Sequence, residues 1–575
     1  TFVVEALDAE GRVGRSEVTL VVPSGTVLSG VRNLDPTFGG QSVILAAGTY
    51  TATAPLAFGE LWVLAGATVK PRLLETLDVT ATSALHLGCG GAFDANALGY
   101  AGGTHASPIG GAPAGVRGSS TDAGGSHGGA GEGIDYELLG RGGDTYDSVE
   151  VPSLPGGGGS PDGWSSGLTT GQRGGGVLRV RTASLVLSGA LRARGDNTEA
   201  ASPAGGGGSI QVEAESLSGI GSVDASGGDM QDNYLWPGPG GGGRVALYVG
   251  EFDGFNPASQ VKAWGGLSWN VTAGYAAPGT VFLKTPAMPF GELHVDNGLQ
   301  SGSARRAAVA TQLPRLGAGT LTTWTVEGAD AWVTCSVPCR IDWLGAEMRL
   351  LSADGADLGA YAVIGFDPVR GLRLAEAAAV SNAAGFRGEY RFDRVEVRNG
   401  AGLATLDRLH TTTLGFVGRV GISGAIEVDD MQVPNGVSVG AAPGLQKLTL
   451  SVAGTLTIEE GGAIDVSGQG FGGGDAVGTI GRSPEGIRGS PDGWSGSHGG
   501  RGINIAAVAT DRTAGDVYGS IVVPHESGGG GGGHGIFTCH HAEPFAPARC
   551  GEIEQRRKGR GLAKLTRSEE HTSEL

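Results

Sequence analysis

The sequence GGGVLRVRTASLVLSGALRARG occupies residues 174–195, and two related stretches follow it, GGGSIQVEAESLSGIGSVDASGG at 206–228 and GGGRVALYVGEF at 241–252. Each begins with three glycines and continues with apolar residues that alternate with polar ones. This alternation is the period of a β-strand with one buried face. Because strands this short cannot bury an apolar face alone, the repeat predicts a stack of similar units around one shared core.

A longer repeat encloses the short one. LDVTATSALHLGCGGAFDANALGYAGG, which starts at Leu77, aligns without a gap with LTLSVAGTLTIEEGGAIDVSGQGFGGG, which starts at Leu448. The second copy predicts three short strands per unit, around 448–452, 456–458 and 464–466, separated by small-residue corners. The alignment continues through Arg117 with Arg488 and His127 with His498 and, after one inserted residue, Tyr146 with Tyr518 and Pro152 with Pro524.

The repeat also predicts a register. The third strand of each unit places Asp94, Arg192, Asp224 and, in the second long copy, Asp465 at the same outward position. In a stack of coils, Arg192 and Asp224 would be neighbours about 4.8 Å apart. We expect an exposed column of charges there, in which each pair is worth at most about 1 kcal/mol.

Glycine runs such as 205–208 and 240–243 recur at the same point of each unit. Glycine loses more conformational entropy on folding than any other residue, so an ordered run needs close backbone packing. One interpretation is a set of disordered linkers. We favour ordered loops laid along one flank of the stack, because aromatic residues such as Tyr100 and Tyr146 recur within the runs.

Composition restricts the class of protein. The chain has 575 residues, with 110 Gly and 26 Pro, which disfavours an all-α fold. A charged fraction of only 17% argues against a basic nucleic-acid binder, and the net charge of −18 gives the chain an acidic surface. The sequence shows no run of about 20 apolar residues, so we expect no membrane insertion of this segment.

These cassettes resemble the glycine-rich, pectate-lyase-like parallel β-helices of large bacterial secreted or surface adhesin-like proteins. The resemblance implies an all-β fold, with right-handed parallel β-helix cassettes separated by a small β module. TFVVEALD and RSEVTLVV near the N-terminus resemble the closing hairpin of a bacterial Ig-like domain, and RSEEHTSEL at 567–575 resembles a translated sequencing adapter. The predicted domains are the hairpin (1–23), a first cassette (24–286), the small β module (287–445), a truncated second cassette (446–533) and an artefactual tail (534–575).

Catalysis would need carboxylates held together, often with calcium, and a basic residue to accept a proton. The densest acidic group in the first cassette is Asp224, Asp229 and Asp232, and no basic residue is close to it in sequence. Aspartate also suits turns, so these residues have a purely structural interpretation as well. Whether the chain is an enzyme stays open, and a non-catalytic role is preferred.

Several loop residues are candidates for binding. Flat aromatic rings can form a carbohydrate platform, or they can fill the seams between loops and coils. The tripeptide Arg194-Gly195-Asp196 matches an integrin-type adhesion motif at a point where the third strand opens into a loop, which predicts exposure. The aromatic candidates for ligand binding are Tyr234, Trp236, Trp264 and Trp269.

Cys335 and Cys339 stand at the two ends of CSVPC. They are candidates for a disulfide across a tight turn, or they are two buried thiols. We expect no metal site, because no further ligands stand near them. No cofactor is expected, and GGAGEGID (128–135) and GGGD (472–475) are single, imperfect matches to calcium-binding repeats, so calcium stays an alternative.

The sequence therefore predicts a structural or adhesive segment of an extracellular or cell-surface bacterial protein. It would act as a stiff spacer whose loops bind polysaccharide or other cell-surface ligands. The alternative is a polysaccharide-processing β-helix enzyme, a lyase or a hydrolase. The two differ in whether the carboxylates near Asp224 converge with a basic residue in a cleft or spread along a solvated edge.

Overall fold

A computed structural model describes most of the first 467 residues and scattered parts of the remainder. Contacts divide the chain into two compact units, Thr1–Ser467 and Gly468–Leu575. The described residues are 2–7, 13–18, 23–133, 142–161, 170–198, 202–230, 238–267, 276–300, 303–304, 309–380, 382–442, 448–467, 470–471, 473, 480, 482–490, 495–498, 515–518, 521, 527–528, 537–540 and 549–552.

The described fold is all-β, and its only α-helix is the four-residue α1, Pro257–Gln260. Two 3-10 turns cover Pro36–Phe38 and Ile341–Trp343. The strands in chain order are β1 Phe2–Leu7, β2 Val13–Val18, β3 Thr26–Leu28, β4 Arg32–Leu34, β5 Ser42–Leu45, β6 Gly48–Ala52, β7 Leu56–Val63, β8 Ala67–Lys70, β9 Thr76–Leu87, β10 Ala92–Asp94, β11 Val177–Leu187, β12 Ala190–Arg192, β13 Ser209–Ser218, β14 Ser222–Asp224, β15 Arg244–Asp253, β16 Val261–Lys262, β17 Thr280–Lys284, β18 Glu292–Asp296, β19 Leu299–Gln300, β20 Ser303–Ala304, β21 Thr311–Gln312, β22 Ala318–Glu327, β23 Asp330–Cys335, β24 Glu347–Ser352, β25 Asp357–Asp367, β26 Gly371–Leu374, β27 Ala383–Arg398, β28 Gly402–Ala404, β29 Arg408–Val417, β30 Arg419–Ser423, β31 Ile426–Val433, β32 Ser438–Ala441, β33 Leu450–Val452, β34 Leu456–Ile458, β35 Ala463–Ile464, β36 Phe537–His540 and β37 Arg549–Glu552.

From β3 to β17 the chain alternates between two parallel sheets. Sheet 1 has the order β3-β5-β7-β9-β11-β13-β15-β17, and sheet 2 has the order β4-β6-β8-β10-β12-β14-β16. Each strand therefore pairs with the strand two positions later in sequence, which is the arrangement that the short repeat predicts. In the first long copy the first two predicted strands form one continuous strand, β9, whereas in the second copy they are the separate strands β33 and β34.

The alternating apolar residues face the core between the sheets. In β11, Leu178, Val180, Leu185 and Leu187 are fully buried, while Arg179, Arg181 and Val186 between them are partly exposed. Full burial of an aliphatic side chain contributes about 1.5–3 kcal/mol relative to exposure, so this face drives the stacking of the units.

The predicted outward column is confirmed. Asp94 pairs with Arg192, Arg192 pairs with Asp224, and Asp224 pairs with Lys262 across the neighbouring strands of sheet 2. Charges therefore alternate in sign along this column. Asp465 directly follows β35, where its N–H donates to the carbonyl oxygen of Val439 at 2.8 Å.

The described glycine runs are ordered, but they form no strands. Extended segments lie side by side and exchange backbone hydrogen bonds, and the N–H groups of one segment point to three different neighbours in turn. In residues 156–160 the donors and acceptors are Gly156 to Gly175, Gly157 to Ser126, Gly158 to Gly111, Gly159 to Gln172 and Ser160 to Ala123.

Partner segments thus repeat every third residue: the first and fourth donors reach segment 171–176, and the second and fifth reach segment 122–127. Three residues per turn without internal hydrogen bonds is the geometry of the polyproline II helix. The run 205–208 behaves in the same way, because Gly205 and Gly208 both donate to segment 193–198, whereas Gly206 and Gly207 donate to two other segments. We call this array of hydrogen-bonded extended segments, drawn from the described residues between 99 and 280, the glycine lattice.

Glycine is required in the lattice because backbones touch on every side. A Cβ atom added to Gly158 would lie 2.0 Å from the carbonyl oxygen of Ala101, and one on Gly241 would lie 2.1 Å from that of Gly129. Neither residue has a positive φ, so close approach and not unusual backbone conformation excludes a side chain. In a helix with three residues per turn, successive residues point to three sides, and here a neighbouring backbone lies on each side. Collagen needs glycine at its crowded axis for the same steric reason.

Residues 287–445, predicted as a small β module, contain two kinds of structure. β22 to β26 form antiparallel pairs, whereas β27, β29 and β31 continue as a parallel array, beside a second parallel sheet of order β21-β28-β30-β32-β35. β17 pairs antiparallel with β18, and β31 pairs with β33 and β34. Strands on the two sides of each predicted module boundary are thus joined by hydrogen bonds. The boundaries themselves stay predictions.

The second unit repeats local geometry of the first, as the sequence alignment predicts. The hydroxyl of Tyr146 donates to the carbonyl oxygen nine residues later, and Tyr518 does the same. Tyr146 packs on His127 with ring centroids 4.7 Å apart, and Tyr518 packs on His498 at 4.9 Å. The two long copies therefore share this tyrosine–histidine arrangement.

Candidate functional site

The predicted acidic group lies beside a basic residue that the sequence places 35 positions away. Arg194 Nη2 is 3.0 Å from Asp229 Oδ2, and Arg194 Nε is 3.8 Å from Asp224 Oδ2. Stacking of β12 on β14 brings the three residues together. Asp232 lies outside the described residues.

These carboxylates are already used within the fold. Asp229 Oδ1 accepts a hydrogen bond from the N–H of Leu267, and Asp224 Oδ1 accepts one from the N–H of Ser226. Asp229 Oδ2 also accepts a hydrogen bond from the guanidinium of Arg194. The arrangement ties neighbouring coils together.

Replacing Arg194 with alanine is expected to lower the free energy of unfolding by less than about 1 kcal/mol, because each member of the ion pair is about one-third exposed, at 32% and 33%. Urea denaturation monitored by tryptophan fluorescence measures the change. Arg192→Ala, which removes the exposed guanidinium two residues away, is the matched control. A decrease of more than about 2 kcal/mol in the free energy of unfolding for Arg194→Ala alone would contradict the interpretation of this contact as a surface ion pair.

The adhesion tripeptide is only partly exposed. Asp196 is exposed, as predicted, but Gly195 is buried and donates its N–H to the carbonyl oxygen of Ser226. Arg194 is occupied by the two carboxylates described above. The expectation of an open loop is therefore wrong for Gly195, because the strand continues into the glycine lattice, and an adhesive role stays a prediction.

Of the aromatic candidates, only Trp264 lies within the described residues, and Tyr234, Trp236 and Trp269 lie outside them. Lys262 Nζ stands 4.8 Å from the Trp264 ring centroid. The backbone of Gly298 packs so closely on the ring that a Cβ there would lie 2.5 Å from it. Trp264 thus packs against a neighbouring segment, and it is partly exposed.

Cys335 and Cys339 are joined by a disulfide, with Cα atoms 5.7 Å apart. The sequence left open whether these residues form a disulfide or are two buried thiols, and the structure contains the disulfide. It closes the turn after β23 and lies far along the chain from the acidic group. We assign it a structural role.

A fully buried polar cluster was missed by sequence reasoning. Asp147, with an exposed fraction of 0%, accepts hydrogen bonds from the N–H groups of Ser153 and Leu154 at 2.8 Å and from Ser209 Oγ at 3.1 Å. His127 Nε2 lies 3.4 Å from the same carboxylate. The signals of this cluster in the sequence were the alignments of His127 with His498 and of Tyr146 with Tyr518.

Arg244 extends the cluster and is also completely buried. Its Nε donates to the carbonyl oxygen of Tyr146 at 2.9 Å, and its Nη1 donates to Thr280 Oγ1 at 2.8 Å. Burial lowers the pKa of Arg244, and burial raises the pKa of Tyr146 well above its usual range. Because these groups are buried and hydrogen-bonded to several segments, the cluster anchors the glycine lattice.

A cavity of about 770 Å³ opens beside this cluster, and sequence reasoning missed it as well. Arg117, Arg315, Arg340 and Glu132 line it, together with two aspartates. It forms where residues 130–133 and 142–145 of the glycine lattice meet residues 309–315 and 340–342, so nothing local in the sequence marks it. The carboxyl of Glu132 has its Oε2 buried without a hydrogen-bond partner, and burial raises its pKa to about 7.

Glu132 should make stability depend on pH. Its folded pKa of about 7 exceeds the ordinary 4.5, so between these values the folded protein holds a proton that the unfolded chain releases. The free energy of unfolding should therefore fall, by up to about 3 kcal/mol, as pH rises from 4.5 to 7. Comparing urea midpoints of the wild type and Glu132→Gln across this window tests it. Identical slopes for the two proteins would contradict the assignment.

A second groove, of about 760 Å³, lies on the outer face of sheet 1. Arg181, Glu213 and Tyr248 line it, and Arg181 is paired with Asp78 at 3.1 Å. Burial raises the pKa of Tyr248. The groove is shallow, and Glu213 accepts a hydrogen bond from Gln211 Nε2 at 3.1 Å.

Together these features define an all-β protein with parallel sheets and a glycine lattice. In the described ranges, no three His, Cys, Asp or Glu side chains are grouped so that they could hold a metal ion. Nor does the described part of the chain contain a helix with the length and apolarity of a membrane span. Comparison with protein-family models, curated proteins and solved structures finds no match to this chain.

Proposed function

We propose that the chain is a right-handed parallel β-helix that serves as a stiff spacer in a large bacterial extracellular or cell-surface protein. The alternation of strands between sheets 1 and 2 supports a helix of coils, and crossover connections between parallel strands are right-handed in nearly all proteins. Loops would carry the contacts with polysaccharide or other surface ligands, as in the adhesin-like proteins that the cassettes resemble.

The observation that carries the proposal is the continuous hydrogen bonding of the glycine lattice. Gly207 donates to Gly241, and Gly241 donates to Gly125, so that consecutive excursions of the chain are joined to one another. The same segments lead directly into β13 and β15. A load applied to one coil would therefore be shared by many backbone hydrogen bonds, which is what a spacer requires.

Pulling the full chain by handles at its two ends tests this role. A stiff spacer should show little extension until the first unit unfolds in abrupt steps. Gradual lengthening at low force, as expected of a flexible glycine-rich linker, would contradict the proposal.

A polysaccharide-processing enzyme is the second candidate, because Arg194 does lie within hydrogen-bond reach of Asp229. Against it, the carboxylates accept backbone N–H groups, and neither residue lines the two cavities described above. This candidate predicts release of reducing ends from an acidic polysaccharide, with activity lost in Arg194→Ala. No release by the wild-type chain would eliminate it.

A further inference from the structure

The groove on the outer face of sheet 1 runs along the stack of coils. It crosses the four neighbouring strands β9, β11, β13 and β15, so it is about 14 Å long, or three strand spacings of about 4.8 Å each. Its volume of about 760 Å³ falls within the roughly 300–1,000 Å³ of small-molecule sites. The lining comes from within residues 80–82, 181–183, 211–215 and 248–250, all of which lie inside strands and within the described ranges.

A bend that repeats from coil to coil forms the groove. Strand pairing is interrupted at the same point of successive coils, so that Ala183 of β11, Glu215 of β13 and Gly250 of β15 are skipped in these pairings. An interruption of this kind bends a strand. A Cβ added to Gly250 would lie 2.4 Å from the carbonyl oxygen of Glu215, so a larger residue does not fit there. Ala81 and Ala214 also line the bend, which therefore presents small side chains along the stack.

Two carboxylates in the groove make no ion pair with the described residues. Glu213 accepts a hydrogen bond from the neutral amide of Gln211 at 3.1 Å, and Glu215 is exposed. Arg181, the cation among the lining residues, is paired with Asp78 at 3.1 Å. Carboxylates lining a groove without a paired cation attract positive charge, so the groove favours a cationic ligand.

Two basic residues beside the groove are engaged elsewhere. Arg179 Nε donates to Gln211 Oε1 at 3.2 Å, and the charge of Lys284 acts on the buried carboxyl of Glu150, whose pKa is raised by burial. Neither Arg179 nor Lys284 lines the groove. Glu213 and Glu215 are thus the charges that remain for a ligand.

An aromatic ring stands next to these carboxylates. Tyr248 is the register partner of Glu213 on the neighbouring strand, and its hydroxyl donates to the carbonyl oxygen of Glu150 at 3.1 Å. Burial, together with the charges of Glu150 and Glu213, raises the pKa of Tyr248, so its phenol is neutral at physiological pH. A tyrosine ring attracts an ammonium group that lies over its face.

We propose that this groove binds a linear aliphatic diamine or polyamine. Its ammonium groups pair with Glu213 and Glu215, which stand two residues, or about 7 Å, apart on β13. These charge-assisted hydrogen bonds form beside the ring of Tyr248, and the methylene chain covers the small side chains of the bend. The site lies on strands and not on loops, and it goes beyond the spacer role and does not depend on it.

Isothermal titration of the full chain with hexane-1,6-diamine, hexane-1,6-diol and Mg²⁺ tests the site. The diol has the same chain without charge, and Mg²⁺ has the same charge without a chain. At neutral pH and physiological salt we expect one diamine per chain to bind at least about tenfold more tightly than either of the other probes. Equal affinity for the diamine and the diol, equal affinity for the diamine and Mg²⁺, or no binding of the diamine would overturn the proposal.

Variants assign the binding to residues. Glu213→Gln and Glu215→Gln should each weaken diamine binding by about threefold to fivefold, and the double variant should bind the diamine no better than the diol. Ala183→Leu fills the bend and should weaken binding although both carboxylates remain. Glu460→Gln, which removes an exposed glutamate outside the groove lining, is the control for total charge and should bind like the wild type.

Unchanged diamine binding in the double variant, or an equal loss in Glu460→Gln, would overturn the assignment. Force measurements on these variants should match the wild type, so the site and the spacer role can fail separately.

Discussion

Replacing Gly241 with alanine is expected to lower the local stability of the glycine lattice by about 3 kcal/mol or more. The new Cβ would lie 2.1 Å from the carbonyl oxygen of Gly129, which is backbone and cannot rotate away. Relief would require segments to separate, with loss of the hydrogen bonds from Gly207 to Gly241 and from Gly241 to Gly125. Overpacking costs typically about 1–3 kcal/mol, and each buried backbone group left unpaired adds about 1–3 kcal/mol.

Hydrogen exchange of peptides covering residues 203–243 measures this change, because it reports local opening without assuming two-state unfolding. A loss of about 3 kcal/mol corresponds to roughly a hundredfold faster exchange. Gly39→Ala is the matched control, since Gly39 is exposed, has a φ of −51°, and would have no atom closer than 4.0 Å to its new Cβ. Equal exchange in both variants would show that the lattice is not close-packed.

Replacing Asp147 with alanine is expected to destabilise the first unit by about 3–5 kcal/mol. The carboxylate is fully buried and accepts hydrogen bonds from three N–H groups, those of Ser148, Ser153 and Leu154, and from Ser209 Oγ. Removing it leaves those donors without acceptors in a region that water does not reach, and it removes one of the negative charges that stabilise the buried guanidinium of Arg244. Urea denaturation followed by circular dichroism measures the loss.

Asp144→Ala is the control for Asp147→Ala. It lies three residues earlier, its side chain is 54% exposed, and its ion pair with Arg117 is at the surface, so its loss should cost less than about 1 kcal/mol. Should Asp147→Ala fail to fold, Asp147→Asn keeps the shape and the positive φ of 70° while changing one acceptor to a donor, and an intermediate loss is expected. Similar losses for positions 144 and 147 would contradict a buried anchor.

The strands and their register could be predicted because side chains carry that pattern. Alternation in 177–187 marks the buried face of β11, and the repeat aligns Asp94, Arg192 and Asp224 as the structure pairs them. For the glycine lattice, the sequence predicted that the glycine runs are ordered. It did not predict which segments exchange hydrogen bonds. A run of identical residues has no pattern that selects partners, and the choice of Gly175, Ser126 or Gly111 as acceptor depends on segments far apart in sequence.

The contacts at the candidate sites could not be predicted in full for a related reason. Arg194 was not recognised as the partner of Asp229, although the predicted stacking of β12 on β14 was sufficient to bring them together. The cavity at Glu132 depends on how residues 130–133 and 142–145 pack against residues 309–315 and 340–342, and no repeat spans these segments. Burial of single polar residues such as Asp147 is decided by that packing, so composition and spacing do not indicate it.

Pulsed electron–electron resonance between spin labels at positions 31 and 220 tests the stacking of coils most directly. Val31 and Ile220 are exposed and lie just before β4 and β14, which are five strand spacings apart in sheet 2. With Cys89, Cys539 and Cys550 replaced by serine, we expect one narrow distance distribution near about 24 Å, from five steps of about 4.8 Å. A broad distribution, or one centred beyond about 40 Å, would contradict a continuous parallel stack from β4 to β14.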